Sequence, residues 1–149
     1  MFKNRYHKIK TLCLTLTALS CLESFALLAD ESIDSELQKR CESTFKIIEN
    51  RNYQAFINLM PFTPTDEEIE HSKAYLDKKH EEWFVKSGGI LEVKRGKVQH
   101  QQPDDEIKEK YGAIQKTKTK IRVLAKNFNT STYCVFIQTP NGWFLSRLP

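Results

Sequence analysis

From residue 34 onward the apolar positions follow two successive periods. Leu37, Cys41, Phe45 and Ile48 recur at helical spacing, with Ile47 widening the stripe, which predicts a helix over 34–49 with one buried face. Asn50-Arg51-Asn52 interrupts it. Tyr53, Phe56, Leu59 and Met60 then predict a short second helix, with Asn52 as its N-cap and Pro61 and Pro64 stopping it. A third helix opens at Thr65, where Thr65 and Glu68 form a T-x-x-E capping box and Asp66 and Glu67 complement the positive helix end. Ile69, Leu76, Trp83 and Phe84 share one face of it, and Gly88-Gly89 provides the stop.

Past Gly89 the period falls to two. Residues 90–100 predict a strand with Leu91 and Val93 on one face and Glu92 and Lys94 on the other, Gly96 marking a bulge or bend. The polar, acidic stretch 101–112 predicts a loop or hairpin connection. A long strand over 113–126, a turn over 127–130 and a strand over 132–139 follow. The last of these is almost continuously apolar and predicts cover on both faces. Pro140-Asn141-Gly142 turns the chain into a final strand, 143–148. Helices first and a meander second predict an α+β domain, its N-terminal helices packed on a curved antiparallel sheet of about four strands.

The segment before this domain has a different layout. Lys3, Arg5, Lys8 and Lys10 precede an uncharged, mostly apolar run from Thr11 to Leu22, which is too short to span a bilayer as a resident helix. Residues 1–29 therefore read as a secretory signal, and 30–149 as a single mature domain. Cleavage is expected after Ala26, with Ser24 at −3, or after Ala29, with Leu27 there. Thr17-Ala18-Leu19-Ser20-Cys21 offers another ending, a lipobox with Cys21 as the lipidated residue, and an uncleaved anchor is the third. The expected location is periplasmic or secreted, with a membrane-anchored lipoprotein as the alternative.

Separating the signal changes what the charge means. The full chain carries +4, but residues 1–29 hold four basic residues and one acid, leaving 19 basic and 18 acidic residues in the domain. The basic balance thus gives no support to a nucleic-acid partner. Of four cysteines, Cys13 and Cys21 lie in the signal; Cys41 and Cys134 remain, either as a disulfide suited to an oxidising compartment or as two separate buried thiols. No metal-ligand spacing occurs: there is no CxxC, and His71 and His80 are too far apart for a helical pair. His80-Glu81-Glu82 starts like a zinc-protease signature, but Phe84 stands where the second histidine belongs. No metal and no cofactor are expected. Asn129-Thr130-Ser131 fits a glycosylation sequon, of consequence only in a eukaryotic source.

Several local patterns together resemble the nuclear-transport-factor-2-like (cystatin-like cone) superfamily, and small exported bacterial domains within it. They are the helix through Phe45, the polar break, the run Asn52-Tyr53-Gln54-Ala55-Phe56 continuing to Met60, Gly88-Gly89-Ile90 before the sheet, and Asn141-Gly142-Trp143 opening the last strand. The resemblance spans Cys41 to Leu148 and implies a cone of helices on a curved sheet. That fold hosts isomerases, cyclases, binding modules and secretion parts, so it implies little about function.

Enzymes of that superfamily bury an acid, tyrosine or histidine on the inner sheet face. The candidates are Glu92, which is out of phase with its apolar neighbours, His100 at a strand end, Tyr111 and Tyr133; no acid occurs in 113–126 or 132–139. No catalytic residue is assigned. Trp83, Phe84, Tyr133, Trp143 and Phe144 are core residues or, if the cone keeps a cavity, its lining. Lys116, Lys118, Lys120 and Arg122 alternate onto one strand face, either a solvated surface or a contact for anionic headgroups or an acidic protein. The leading expectation is a non-catalytic exported envelope domain that binds a protein partner or a small apolar ligand. An enzyme acting on a hydrophobic small molecule is one alternative; a periplasmic assembly or immunity protein is another.

Overall fold

Each predicted helix forms, the second ending at Ile57, short of Leu59, Met60 and the prolines expected to stop it. The computed structural model describes residues 32–149. The export segment, with Cys13, the lipobox cysteine Cys21 and the cleavage positions at Ala26 and Ala29, lies outside the described residues. The chain divides between Glu36 and Leu37, and the packing that follows is that of Leu37–Pro149. Helix α1 covers 32–49, and its stripe of Leu37, Cys41, Phe45 and Ile48 is buried. Arg51 then takes a left-handed conformation (φ 48°), which turns the chain sharply into α2, Tyr53–Ile57. The Asn52 side chain accepts the Ala55 N–H at 3.0 Å, as an N-cap should. Helix α3, Asp66–His80, begins with the predicted reciprocal box: Glu68 N–H donates to Thr65 Oγ1 and Thr65 N–H to Glu68 Oε2. These bonds hold the Glu68 carboxyl below its ordinary range, the backbone Thr65 N–H foremost.

Two features were not visible in the pattern. Helix α3 widens into a π-helical turn over Glu81–Lys86 before the left-handed pair Gly88-Gly89 ends it. The 101–112 stretch, expected to be a loop or hairpin connection, contains a helix, α4, over Asp105–Tyr111. Its seven residues offer too few apolar positions for a period to show; it is instead held at its ends. Gly112 closes it at φ 64°, and the carboxylate of Asp104, just before it, accepts from Lys116 Nζ in the next strand.

The strands β1 (Ile90–Gln101), β2 (Gln115–Ala125), β3 (Asn129–Thr139) and β4 (Gly142–Arg147) form one open antiparallel sheet in the order β1-β2-β3-β4. The molecule is thus α+β, helices followed by a four-stranded meander. One facing expectation is corrected. A bulge between Ile90 and Glu92 places Ile90 opposite Ala125 and Val93 opposite Val123, so Ile90 and Val93 share a face; Leu91 is the extra residue and is 68 % exposed. A second bulge falls at Gly96, between Arg95 and Val98. A Cβ there would lie 2.8 Å from the Lys120 carbonyl oxygen, so the close approach of the two strands requires glycine.

Helix α1 lies across one sheet face and is fastened to three strands. Gln38 Nε2 donates to the Gly96 carbonyl of β1 (2.7 Å), and Arg40 Nη2 to the Trp143 carbonyl of β4 (2.8 Å). Cys41 is bonded to Cys134 of β3, their Cα atoms 5.7 Å apart and both residues fully buried, so of the two readings the disulfide holds. Thr117, Thr119, Ile121 and Val123 of β2 bury their side chains on this same face. Cys134 to Ile137 of β3 is buried without interruption, as the apolar run predicted. Trp83 closes one end of the core: Phe45 meets it edge-on at 5.4 Å, and its Nε1–H donates to the Pro149 carbonyl oxygen. No described helix is long and apolar enough to cross a membrane.

Candidate functional site

A largely apolar cavity lies beside β4. The loop after α2 runs along this sheet edge, where Leu145 N–H donates to the Leu59 carbonyl at 2.8 Å. That bond spaces the loop from the strand, and a cavity of about 290 Å³ opens between them and α3. Phe56, Met60, Pro61 and Phe62 form one wall, Leu145 to Leu148 the opposite one, and His71, Ser72 and Tyr75 of α3 the third, with Tyr111 of α4 at the rim. Helical spacing brings His71, Ser72 and Tyr75 to one side. The Phe56 and Tyr75 rings stand 6.2 Å apart, and Phe62 stacks on Tyr111 at 5.7 Å. Burial raises the Tyr75 phenol above its usual pKa, while the nearby Arg147 cation partly opposes this. Its hydroxyl is therefore a neutral donor at physiological pH.

The lining is poorly equipped to move protons. No carboxylate belongs to it; His71 is exposed at the rim, and the Ser72 hydroxyl donates to the Glu68 carbonyl at 2.6 Å, a helical back-bond. Lys110 sits over the Phe62 and Tyr111 rings, 5.8 and 5.2 Å from their centroids. Its pKa is raised, by interaction with the Tyr111 hydroxyl first.

A second, more open cavity of about 380 Å³ adjoins the first, and the two share Tyr75, Ser146 and Arg147 as lining. It lies on the sheet face away from α1. Here Tyr133 is flanked by two cations: Lys118 Nζ is 5.6 Å from its ring centroid and Arg147 Cζ 5.3 Å. Lys116 also lines this cavity but is paired with Asp104, whose carboxyl it holds below the ordinary range. Compared with known protein families, curated proteins and solved structures, the chain matches none. Function must therefore be read from the site itself.

The predicted site residues do not come together in one place. Lys116, Lys118, Lys120 and Arg122 share the face of β2 opposite α1, with Lys120 and Arg122 exposed. Among the aromatic candidates, Tyr133 lines the second cavity, and Phe144 lines a third, shallower groove beside Pro61, Phe62 and Pro64. Trp83 is core; Phe84 stacks on His80 at 5.7 Å; Trp143 is half-buried on β4 and supplies the carbonyl that Arg40 engages. Glu92 is exposed and pairs with Lys94, while His100 Nδ1 lies 3.0 Å from Thr117 Oγ1. Neither lines the two joined cavities. Among the described residues no cluster of three potential metal ligands occurs.

Sequence reasoning missed Phe56, Met60, Phe62, Tyr75 and Arg147 as cavity residues. Three segments far apart in the chain build this site, and none of them carries a local motif. The one usable cue was the Pro-rich run from Pro61 to Pro64, which supplies apolar side chains in a segment unable to continue a helix.

Proposed function

We propose that this chain is an exported, non-catalytic domain of the nuclear-transport-factor-2-like cone type that binds a small apolar ligand in the cell envelope. The observation that carries the reading is the cavity beside β4: a mostly apolar surface, a volume of about 290 Å³, and no carboxylate in the lining. Pockets of this kind bind small molecules chiefly by removing apolar surface from water, a few polar groups fixing orientation. The buried disulfide supports the compartment, since such bonds persist in oxidising surroundings. The apolar, small-residue layout of residues 11–29 supports the route there.

The test of binding is titration of the folded protein with neutral N-phenyl-1-naphthylamine, read by fluorescence. Saturable binding that weakens at least several-fold in Phe56→Ala and Tyr75→Ala, with both variants folded by circular dichroism, is expected. Saturable binding unaffected by either change would remove this cavity as the site. Export is tested by fractionating cells and measuring the mature N-terminus by mass spectrometry; an intact chain in the cytosol would overturn that part.

A second reading concerns the opposite face. Among the described residues, Lys120 and Arg122 project from β2 with no carboxylate within ion-pair distance, and Lys94 of β1 lies directly opposite Arg122. This strip suits an acidic protein partner. Charge reversal at Lys120 and Arg122 is expected to abolish capture of that partner from envelope extract; undiminished capture would leave the strip as solvated surface.

A further inference from the structure

The apolar cavity and the cationic cavity adjoin each other, with Tyr75, Ser146 and Arg147 in the walls of both. The two differ in chemistry. The first is walled by Phe56, Met60, Phe62 and Leu145; the second presents Lys118 and Arg147, both within 6 Å of the Tyr133 ring centroid. Among the described residues neither Lys118 nor Arg147 has a carboxylate within ion-pair distance, in contrast to Lys116, which Asp104 occupies. Because both cations lie close to one ring, a single anion beside that ring is attracted by both. The neutral Tyr75 hydroxyl stands at the junction as a further donor.

From this juxtaposition we infer that the ligand is a single-chain anionic amphiphile, its hydrocarbon tail in the cavity beside β4 and its carboxylate or phosphate head beside Lys118 and Arg147. The inference rests on the small-ligand reading above and adds the ligand's charge and direction. A tail alone would gain only from burial in the first cavity. A head alone would meet one half-buried and one exposed cation, whose attraction for a small anion is weak in water. Only a molecule with both parts uses both cavities, and the separation of its ends fixes which way round it binds.

Isothermal titration of the full mature domain with decanoate, decyl phosphate, decanol, decyltrimethylammonium and inorganic phosphate tests this. Decanoate and decyl phosphate are expected to bind about tenfold more tightly than decanol, consistent with two charge-assisted contacts in partial solvent. Decyltrimethylammonium and inorganic phosphate are expected to show no saturable binding below millimolar concentration. Lys118→Gln and Arg147→Gln should each reduce the preference for decanoate over decanol at least threefold. Raising salt from 50 mM to 500 mM should erode the same preference, as screening requires. Equal affinity for decanoate and decanol would overturn the anionic-head inference and leave the apolar-ligand reading standing. No binding of any decyl compound would overturn both. Tight binding of inorganic phosphate alone would replace the amphiphile by a free phosphate ligand, and a preference untouched by both glutamine variants would place the head elsewhere.

Discussion

Removing the Cys41–Cys134 bridge is expected to cost this domain much of its stability. The two residues are 93 positions apart, so the bond closes most of the described chain into one loop. Loop-closure entropy for a crosslink of that span is on the order of 4–5 kcal/mol at 25 °C. A domain of this size has a total stability of only about 5–15 kcal/mol. The bridge also joins α1 to β3 at a point where both partners are fully buried, with Thr44 Oγ1 only 3.9 Å from the Cys134 sulfur. Reductant therefore reaches the sulfurs only through opening of the helix–sheet contact, and mild treatment of the native protein is expected to leave the bond intact. The assay is urea unfolding of the oxidised protein and of Cys41→Ala/Cys134→Ala, with thiol content measured by mass spectrometry. The variant's midpoint is expected to fall sharply, and its thermal midpoint by roughly 15–25 °C if the entropic figure holds. Packing lost at two alanines adds to the deficit, so reduction of the wild type after unfolding, followed by refolding with blocked thiols, provides the second arm. Stability unchanged within 1 kcal/mol in both arms (a figure chosen as about a quarter of the expected loss) would refute the reasoning.

Three other outcomes follow from single contacts. Gly96→Ala is expected to destabilise by about 1–3 kcal/mol, because the new Cβ meets the Lys120 backbone carbonyl at 2.8 Å and backbone cannot swing aside; an unchanged chemical melt would show that the bulge relaxes freely. Thr119→Val should hold or raise stability by about 1 kcal/mol, since Thr119 Oγ1 is buried without a partner, whereas Thr44→Val should lower it, since Thr44 Oγ1 donates to the Cys41 carbonyl at 2.6 Å. Equal losses at both positions would refute the distinction. Lys116 holds the folded-state pKa of Asp104 below that of the unfolded chain, first by its hydrogen bond and then by its charge. The pair's stabilisation is therefore complete above the ordinary carboxylate value of about 3.9 and is lost as pH falls through the lower folded value. The stability gap between wild type and Asp104→Asn should close on acidification from pH 5 to pH 2; a constant gap in thermal melts across that range would refute the linkage.

The sequence disclosed most of the framework because periodicity and capping are local. Four stripe positions of α1, the Thr65–Glu68 box and the alternating lysines of β2 each state a secondary structure within a dozen residues, and each is found in place. What escaped depends on partners elsewhere. The bulge at Leu91 is a matter of register against β2, and alternation along β1 alone cannot reveal an extra residue. Helix α4 lacks a stripe and relies on its ends, one of them secured by Lys116, which is placed by a strand not yet made when the sequence is read linearly. The π-helical turn of α3 likewise left no composition mark.

The same distinction explains why the core was easier to name than the cleft. Trp83 and Phe136 are held on all sides by other core groups, so an apolar residue on the right face suffices to place them. The cleft exists because a loop is spaced from β4 by one backbone hydrogen bond, Leu145 to Leu59, and because α3 crosses that edge with Tyr75 facing it. The chemistry then depends on the bulge between Val135 and Phe136 in the β3–β4 pairing, which brings Arg147 opposite Val135 and beside Tyr133. With regular pairing from Phe136 and Leu145, the residue opposite Val135 would be Ser146 rather than Arg147. A single irregularity in register thus adds an arginine beside Tyr133 to the lysines of β2, and under the proposed reading this added cation favours a ligand with an anionic head.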